Sequence, residues 1–370
     1  MPVGEGGQPA PPGAQDGSAE ARRQFVLRLL ADGELHSGAE LAAHLGVTRA
    51  AVWKILRAAV DELGLELSSI RGKGYMLAAP LELLDPVRIE AGLSDLSCGL
   101  LGGLEVLDSV SSTNTRLMRR ARDGAPSGLV CLAERQLAGR GRSGRRWVSP
   151  FGSNIYLSVL WRYPLAPAEL GGLSIACGVA AARALKAAGV ADIGLKWPND
   201  LHWRRRKLGG LLLEVAGESQ GPSHVVVGIG VNSRLSPGQA AGIDQPWTDL
   251  ASALSDAPDD GRGDVRPGRN AVAALLIDAL FPALIEFGNA GLDPFLPDWR
   301  AFDTYLGEPV ALIMGERRIT GTCAGVGADG ALLLDTGEGR RAFHAGEVSL
   351  RPIATEMGQV SAATPKSSGS

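Results

Sequence analysis

One segment of the chain combines glycine and arginine at a spacing suited to binding an anion. Residues 139–147 read GRGRSGRRW, so three glycines alternate with four arginines before a tryptophan. Glycine amides can approach an oxyanion closely, and arginine binds phosphate or carboxylate through two parallel hydrogen bonds. A nucleic-acid-binding RGG-like segment is the alternative, but this stretch lies between two predicted core strands. We therefore expect a ligand-binding loop.

A second segment places a lysine where a predicted strand ends. Lys196 closes the predicted strand Ile193–Lys196 and is followed by Trp-Pro-Asn-Asp. An ammonium group at a strand end lies where α/β proteins bind ligands, and it could neutralise two anions that repel each other. A turn in which Asn199 and Asp200 bond only to their own backbone is equally consistent with these residues.

Two weaker signals accompany these segments. Ser111–Thr115 offers hydroxyls and an amide that could bind a ligand or simply cap a helix. Gly228–Asn232, reading GIGVN, could allow close backbone contact with a ligand or could mark a bulge. Neither segment by itself indicates whether it binds a ligand or has only a structural role.

Composition limits the class of protein. The 370 residues exceed one ordinary domain, and the net charge of −3 leaves no general affinity for polyanions. The four cysteines are far apart and the five histidines lack metal-ligand spacing, so we expect reduced thiols and no metal site. The Pro/Gly/Gln-rich start lacks a signal-peptide core, and no apolar run approaches ~18 residues. These features predict a soluble cytoplasmic protein.

Residues 21–80 have the pattern of a winged helix-turn-helix. Helices are predicted at about Phe25–Leu30, Ala39–Leu45 and from a Thr48 cap to Leu63, followed by a basic hairpin. Such a unit places basic and small residues in a major groove, although a solvated face on a protein-interaction domain is the alternative. The residues expected to contact DNA are Thr48, Arg49, Ala50, Trp53, Lys54, Arg57, Arg71 and Lys73.

The pattern of strands and helices in the rest of the sequence predicts an α+β fold. Strands and helices alternate through residues 100–300 as in a mixed-sheet domain, and 250–268 is expected to be a surface loop. Short strands about ten residues apart predict a small SH3-like β-barrel over residues 304–353. The tails, residues 1–20 and 354–370, are poor in large apolar residues and are expected to be disordered.

The motifs, taken in order, resemble those of biotin protein ligases. Ser112-Thr113-Asn114, the GRGR loop, KWPND, Lys207-Leu208-Gly209-Gly210 and GIGVN cover about residues 100–353. The N-terminal region resembles the winged helix of the bifunctional members, which also repress biotin-synthesis genes. The resemblance implies a catalytic domain of class II synthetase-like fold between the winged helix and the barrel.

The resemblance also implies roles for particular residues. Lys196, Arg140 and Arg142 would be catalytic, joining the biotin carboxylate to the ATP α-phosphate. Biotin would be bound by Ser112, Thr113, Asn114, Gln136, Gly139, Arg140, Arg142, Lys196, Gly209 and Gly210. ATP and the adenylate would be bound by Arg140, Arg142, Trp147, Asn199, Asp200, Lys207, Asn232 and Trp247.

The resemblance implies substrates and partners as well. Biotin, ATP and Mg²⁺ would react to give biotinyl-adenylate, and a lysine of a biotin carboxyl carrier domain of acetyl-CoA carboxylase would accept the biotin. Operator DNA of biotin-synthesis genes would bind a ligand-promoted homodimer. A lipoate–protein ligase of related fold and a biotin-sensing repressor without turnover are the rival interpretations. The GRGR loop together with KWPND favours the biotin ligase.

Overall fold

A computed structural model of the chain describes residues 19–256, 266–344 and 348–352. The predicted disordered tails lie outside these residues, except that the first helix already begins at Ala19. Within them, an N-terminal group of three helices and a hairpin precedes a central seven-stranded sheet and a C-terminal five-stranded sheet. The predicted α+β class is confirmed.

Two helices of the N-terminal unit begin at the capping residues that the sequence predicted. Ser37 and Thr48 accept hydrogen bonds from the amides of Glu40 and Ala51, so each begins a helix. The elements are α1 (Ala19–Leu30), α2 (Gly38–Leu45), α3 (Arg49–Leu63), β1 (Leu67–Ile70) and β2 (Gly74–Leu77).

The central sheet has the strand order β3-β4-β5-β9-β8-β7-β6, with β3 and β4 parallel and the other neighbours antiparallel. Its strands are β3 (Gly103–Val110), β4 (Leu129–Gln136), β5 (Asn154–Tyr163), β6 (Ile193–Lys196), β7 (Asp200–Trp203), β8 (Arg206–Gly217) and β9 (Ser223–Asn232). The helices of this region are α4 (Pro86–Glu90), α5 (Asp95–Leu100), α6 (Thr113–Arg122), α7 (Leu173–Ala187), α8 (Leu250–Ser255), α9 (Arg269–Ala290) and α10 (Leu296–Phe302).

The two faces of this sheet are covered differently. One face carries Ile155, Leu157 and Val159 into the main core against α7 and α9. On the other face, Leu117 of α6 packs in one cluster with Leu160 of β5. This helix covers only part of the sheet. The uncovered part of that face is where a ligand can reach the strands.

Two long apolar segments belong to this core. Pro167–Ala187 and Arg269–Ala290 reach the length and mean hydropathy of a membrane span by composition alone. Within the protein, 67% and 56% of their most apolar windows are buried, as expected for core helices. We therefore interpret both as packing elements.

Several local predictions were wrong. Residues 250–268 are not a continuous surface loop, because α8 begins at Leu250 and buries Leu250 and Leu254; residues 257–265 lie outside the described residues. The helix expected at about 168–188 is a 3₁₀ turn and then α7, since Gly172 adopts a φ of +85° between them. The strand β7 and the helices α4, α5 and α10 were not predicted.

The C-terminal sheet packs against the central part of the molecule and shares its main hydrophobic core. Its strands are β10 (Pro309–Met314), β11 (Arg317–Val326), β12 (Leu332–Thr336), β13 (Gly339–Phe343) and β14 (Val348–Pro352), in the order β13-β12-β11-β10-β14. Four of them were predicted, and β14 was not. The Trp197 indole nitrogen donates to the Gly330 carbonyl at 3.1 Å, so this sheet is tied directly to the KWPND turn.

A buried ion pair joins the central sheet to α9. Arg269 Nη1 lies 2.8 Å from Glu134 Oε2, and both side chains are at most 5% exposed. The same guanidinium donates to the carbonyls of Asn154 and Glu82, at 2.7 and 2.6 Å through its two terminal nitrogens. Such a pair is costly to break, since removing one partner leaves the other charge buried alone.

We expect Arg269→Met to lower the free energy of unfolding by about 3–5 kcal/mol, because Glu134 loses its counter-ion in a dry environment. Urea denaturation followed by circular dichroism measures this change. The control is Arg183→Met, whose partner Asp298 is, like Arg183, 43% exposed; it should cost no more than about 1 kcal/mol. Equal losses in the two variants would contradict a special role for the buried pair.

Candidate functional site

A cavity of about 350 Å³ lies on the uncovered face of the central sheet. Its walls come from the start of α6, from the loop Gly139–Trp147 (hereafter the arginine loop), from the KWPND turn, from residues 242–247 and from β14. The structure thus gathers segments far apart in sequence. The predicted site residues that line it are Ser112, Thr113, Asn114, Gln136, Arg140, Arg142, Trp147, Lys196, Asn199, Asp200, Lys207, Gly210, Asn232 and Trp247.

Two predicted residues do not line the cavity. Side chains alternate along β8, so Gly210 faces the cavity whereas Gly209 faces the core, where an added Cβ would lie 2.6 Å from the Gly230 carbonyl oxygen. Of the two glycines predicted to bind biotin here, only Gly210 therefore borders the cavity. At Gly139 a Cβ would lie 2.6 Å from Ser149 Oγ, so this glycine serves close packing within the loop.

The glycines of GIGVN are more important than the sequence suggested. A Cβ on Gly228 would lie 2.1 Å from Asn114 Oδ1, and one on Gly230 would lie 2.7 Å from the Trp147 ring. Both glycines face the cavity, since they are two residues apart on β9. They let two site residues lie directly on the sheet. Their i, i+2 spacing was the signal that could have identified them.

One end of the cavity is a neutral network of hydrogen bonds. The Thr113 amide donates to Gln136 Oε1 at 2.9 Å, and Thr113 Oγ1 lies 3.2 Å from the same oxygen. Ser158 Oγ lies 2.7 Å from both Thr113 Oγ1 and Asn114 Oδ1. Ser158, which was not predicted, thus orients two predicted residues. Such fixed donors and acceptors suit a polar ring without charge.

The other end of the cavity is positively charged. Lys196 is only 8% exposed, and burial lowers the pKa of its ammonium group although Asp200 opposes the shift. Burial would raise the pKa of Asp200, but Lys207 and Lys196 outweigh it and the pKa is lowered. The carboxylate lies 2.6 Å from Lys207 Nζ and 3.9 Å from Lys196 Nζ. Arg142 also lines this end, with its pKa lowered by burial.

The arginine loop forms one wall as a short hairpin. The Trp147 amide donates to Gly139 O at 2.9 Å and the Gly141 amide donates to Arg145 O at 2.7 Å. Ser143 has a φ of +53° at the tip. The Trp147 ring rests on β9 and lies 5.6 Å from Lys207 Nζ, within range of a cation–π contact.

Arg140 does not point towards the charged end. Its Nη2 lies 3.0 Å from both carboxylate oxygens of Glu214 on β8 and donates to Thr115 Oγ1 at 3.0 Å. The side-chain amide group of Asn199 donates a hydrogen bond to the Leu211 carbonyl. The two arginines predicted to be catalytic together therefore lie at different ends, with Arg142 at the positively charged end.

Residues 246–248 close the remaining side. The Lys207 amide donates to Pro246 O, and the Thr248 amide donates to Lys207 O, both at 2.9 Å. The Asn232 side chain donates to Thr248 O at 3.0 Å and is buried. Trp247 is thereby held at the cavity edge as a flat apolar surface.

The predicted DNA-contacting residues are all exposed. Trp53 on α3 is 40% exposed and stacks on Tyr75 of β2, with ring centroids 5.8 Å apart and planes inclined by 24°. This contact joins the outer face of α3 to the hairpin whose tip carries Arg71 and Lys73. Arg57 is paired with Asp61 at 3.0 Å. The described residues contain no cluster of three or more His, Cys, Asp or Glu that could hold a metal ion.

Three family models match this chain. Residues 106–232 match the biotin/lipoate A/B protein ligase family, residues 305–351 match the biotin protein ligase C-terminal domain, and residues 22–76 match an HTH domain. The matched ranges coincide with the central sheet, the C-terminal sheet and the N-terminal helices.

Curated proteins and solved structures agree with these matches. The chain is 39% identical to the bifunctional ligase/repressor BirA of Salmonella typhimurium over 88% of this chain and 96% of the relative. It is 35% identical to a biotin–[acetyl-CoA-carboxylase] ligase of Mycobacterium tuberculosis, over 72% of this chain and 96% of that protein. A structure of the biotin protein ligase from Aquifex aeolicus in complex with biotin and ATP matches with a TM-score of 0.56 and 30% identity, over 68% of this chain and 99% of that chain.

The close packing of Trp147 on Gly230 predicts that Gly230→Ala loosens the arginine loop. Loss of roughly 1.4 kcal/mol of ring packing would raise the open population about tenfold. Trypsin cleavage within residues 140–146 should accelerate accordingly, as read by mass spectrometry. Gly238→Ala is the matched control, because no atom lies within 4 Å of its added Cβ. An unchanged cleavage rate in Gly230→Ala would contradict the packing argument.

Proposed function

The chain belongs to the biotin protein ligase family, and from this premise we propose that it forms biotinyl-adenylate from biotin and ATP and then biotinylates an acceptor lysine. One observation supports this chemistry above all others. A buried lysine, Lys196, lies in a cavity with a neutral hydrogen-bonding end and a cationic end. Biotin has a neutral ureido ring and a carboxylate, and the carboxylate must meet a phosphate.

In the first step the biotin carboxylate oxygen attacks the α-phosphorus of ATP and pyrophosphate leaves. Two anions must approach each other, so positive charge placed beforehand between them lowers the barrier. Lys196 supplies that charge, and Arg142 supplies a second cation at the same end. Burial strengthens both interactions because little water competes for the ligand.

The neutral end suits the biotin ring. Thr113 and Gln136 already form a hydrogen-bonded pair, and Ser112 and Asn114 lie beside them. Gly210 leaves space above the sheet for the apolar chain that joins ring and carboxylate. Arg140 belongs to this end through Glu214, so we assign it to the wall beside biotin and Arg142 to the phosphate.

Trp147, Lys207, Asn232 and Trp247 surround the side on which the adenylate would lie. Indole rings offer stacking faces for a purine. Asp200 is engaged by Lys207 and Lys196, so its role is to orient those ammonium groups. We propose that Mg²⁺ enters bound to the ATP phosphates, which is its usual mode with nucleotide substrates.

In the second step a lysine amine of the acceptor attacks the acyl carbon of the mixed anhydride. The acyl–oxygen bond breaks and AMP leaves with the electron pair, stabilised by the same Lys196 ammonium. The nucleophile belongs to the acceptor, which we propose is the biotin carboxyl carrier domain of acetyl-CoA carboxylase. We propose that the reaction takes place in the cytoplasm.

The N-terminal unit adds a regulatory role. Its helix-turn-helix and exposed basic hairpin suit operator DNA of biotin-synthesis genes. We propose that the adenylate promotes a homodimer across an exposed sheet edge, such as that of β3, which would place two winged helices on a two-fold operator. A repressor without turnover would not need a buried lysine at the cationic end of the cavity. A lipoate–protein ligase would instead show lipoate-dependent ATP–pyrophosphate exchange.

We expect Lys196→Ala to abolish the mass gain of one biotin on a carrier domain incubated with biotin and Mg-ATP. The loss should reach at least about a hundredfold, because the variant lacks the charge between two anions. Intact-protein mass spectrometry measures the product, and a urea titration checks that the variant is folded. Normal turnover in Lys196→Ala would remove this residue from the chemistry.

The basic β1–β2 hairpin, whose tip is the wing of the helix-turn-helix unit, predicts an effect on DNA binding that is separate from catalysis. Replacing Arg71 and Lys73 by alanine should weaken operator binding and reduce the slope of log affinity against log salt by about 1 per lost phosphate contact. Fluorescence anisotropy at several salt concentrations measures the slope. Biotinylation of the carrier domain should be unchanged, and an unaltered salt slope would show that the wing does not contact phosphate.

A further inference from the structure

Glu214 on β8 joins three parts of the cavity wall, although no motif drew attention to it. Its two carboxylate oxygens both lie 3.0 Å from Arg140 Nη2 in the arginine loop. Asn114 Nδ2, at the start of α6, donates to Glu214 Oε2 at 2.9 Å. Thr115 Oγ1 accepts from Arg140 at 3.0 Å. One carboxylate therefore connects the loop, the helix and the sheet.

The arginine loop is thus anchored at both ends. At its C-terminal end the Trp147 ring rests on Gly230. At its N-terminal end Arg140 is bound to Glu214. Between these anchors, the backbone hydrogen bonds donated by Gly141 and Arg145 lie within the hairpin itself. Both anchors therefore help to fix the position of this wall.

The two anchors differ in kind. The tryptophan anchor is a packing contact, whereas the glutamate anchor is an ion pair whose side chains are 44% and 26% exposed for Arg140 and Glu214. A partly exposed ion pair is weak and exchanges readily with water. It can therefore open and re-form while the other anchor remains in place. That behaviour suits a wall that must admit ligand and then close.

We propose that Glu214 is a positioning residue that latches the arginine loop and so retains the adenylate until the acceptor lysine arrives. This inference rests on the proposed function. With the latch lost, water or an unrelated amine would reach the acyl carbon, the acyl–oxygen bond would break, and AMP would leave with the electron pair. Hydrolysis would return biotin and AMP without any acceptor. The latch therefore governs how efficiently each ATP is converted into biotinylated carrier.

The test compares Glu214→Ala and Glu214→Gln with Glu105→Gln in the full chain. Glu105 is the matched control, since its ion pairs are with Arg116 and Arg120 on α6 rather than with the arginine loop. Two quantities are measured with biotin and Mg-ATP. One is AMP formed without acceptor, and the other is AMP formed per biotin transferred to the carrier domain. Trypsin cleavage within residues 140–146 reports the loop independently of catalysis.

We expect Glu214→Ala to raise acceptor-free AMP formation and loop cleavage about fivefold, the effect of losing one partly exposed ion pair. AMP per transferred biotin should exceed one, whereas Glu105→Gln should behave as the wild type. Glu214→Gln should fall between them, because it keeps the side-chain size and loses the charge. Wild-type AMP and cleavage rates in Glu214→Ala would overturn the latch. Faster cleavage with wild-type retention of the adenylate would also overturn it. If the wild-type protein formed neither AMP nor biotinylated carrier, the proposed function would fail instead.

Discussion

The structure depends on keeping a cationic lysine buried in the wall of the cavity. Burial opposes the charge on Lys196, and the nearby carboxylate of Asp200 is shared with Lys207. Arg142 and Arg351 also line the cavity, so positive charge exceeds negative charge there. This imbalance is unfavourable without an anion and is relieved when a carboxylate and a phosphate bind. Repulsion among these cationic side chains therefore favours the binding of anionic substrates.

The two faces of the central sheet are covered to different extents, and this difference makes room for the cavity. One face is covered by α7 and α9, which form a rigid apolar base. The other face is left partly open, with glycines at 228 and 230 on which Asn114 and Trp147 can lie. Both side chains reach the cavity from neighbouring segments, so their positions follow from the spacing of the strands. A single added methyl group at either glycine would displace one of them.

Sequence alone predicted the features that carry local signals. Caps at Ser37 and Thr48 marked two helices, and the GRGR and KWPND segments identified the loop and the lysine. Features that depend on pairing could not be predicted in the same way. β7 is four residues long with polar Asp200 and His202, and the choice between Gly209 and Gly210 needs the strand register. Glu214 resembles any exposed strand acid until the fold brings Arg140 to it.

The hydrogen bond from Trp197 to Gly330, together with β14, has a consequence for biosynthesis. Leu350 and Arg351 complete the cavity wall, although every other wall is encoded before residue 248. A ribosome-bound chain that has emerged only as far as α10 already contains Lys196 and the arginine loop, but it cannot enclose a ligand between them. Competence to hold a reactive intermediate thus requires the chain to be synthesised through β14, which completes the described part of the C-terminal sheet.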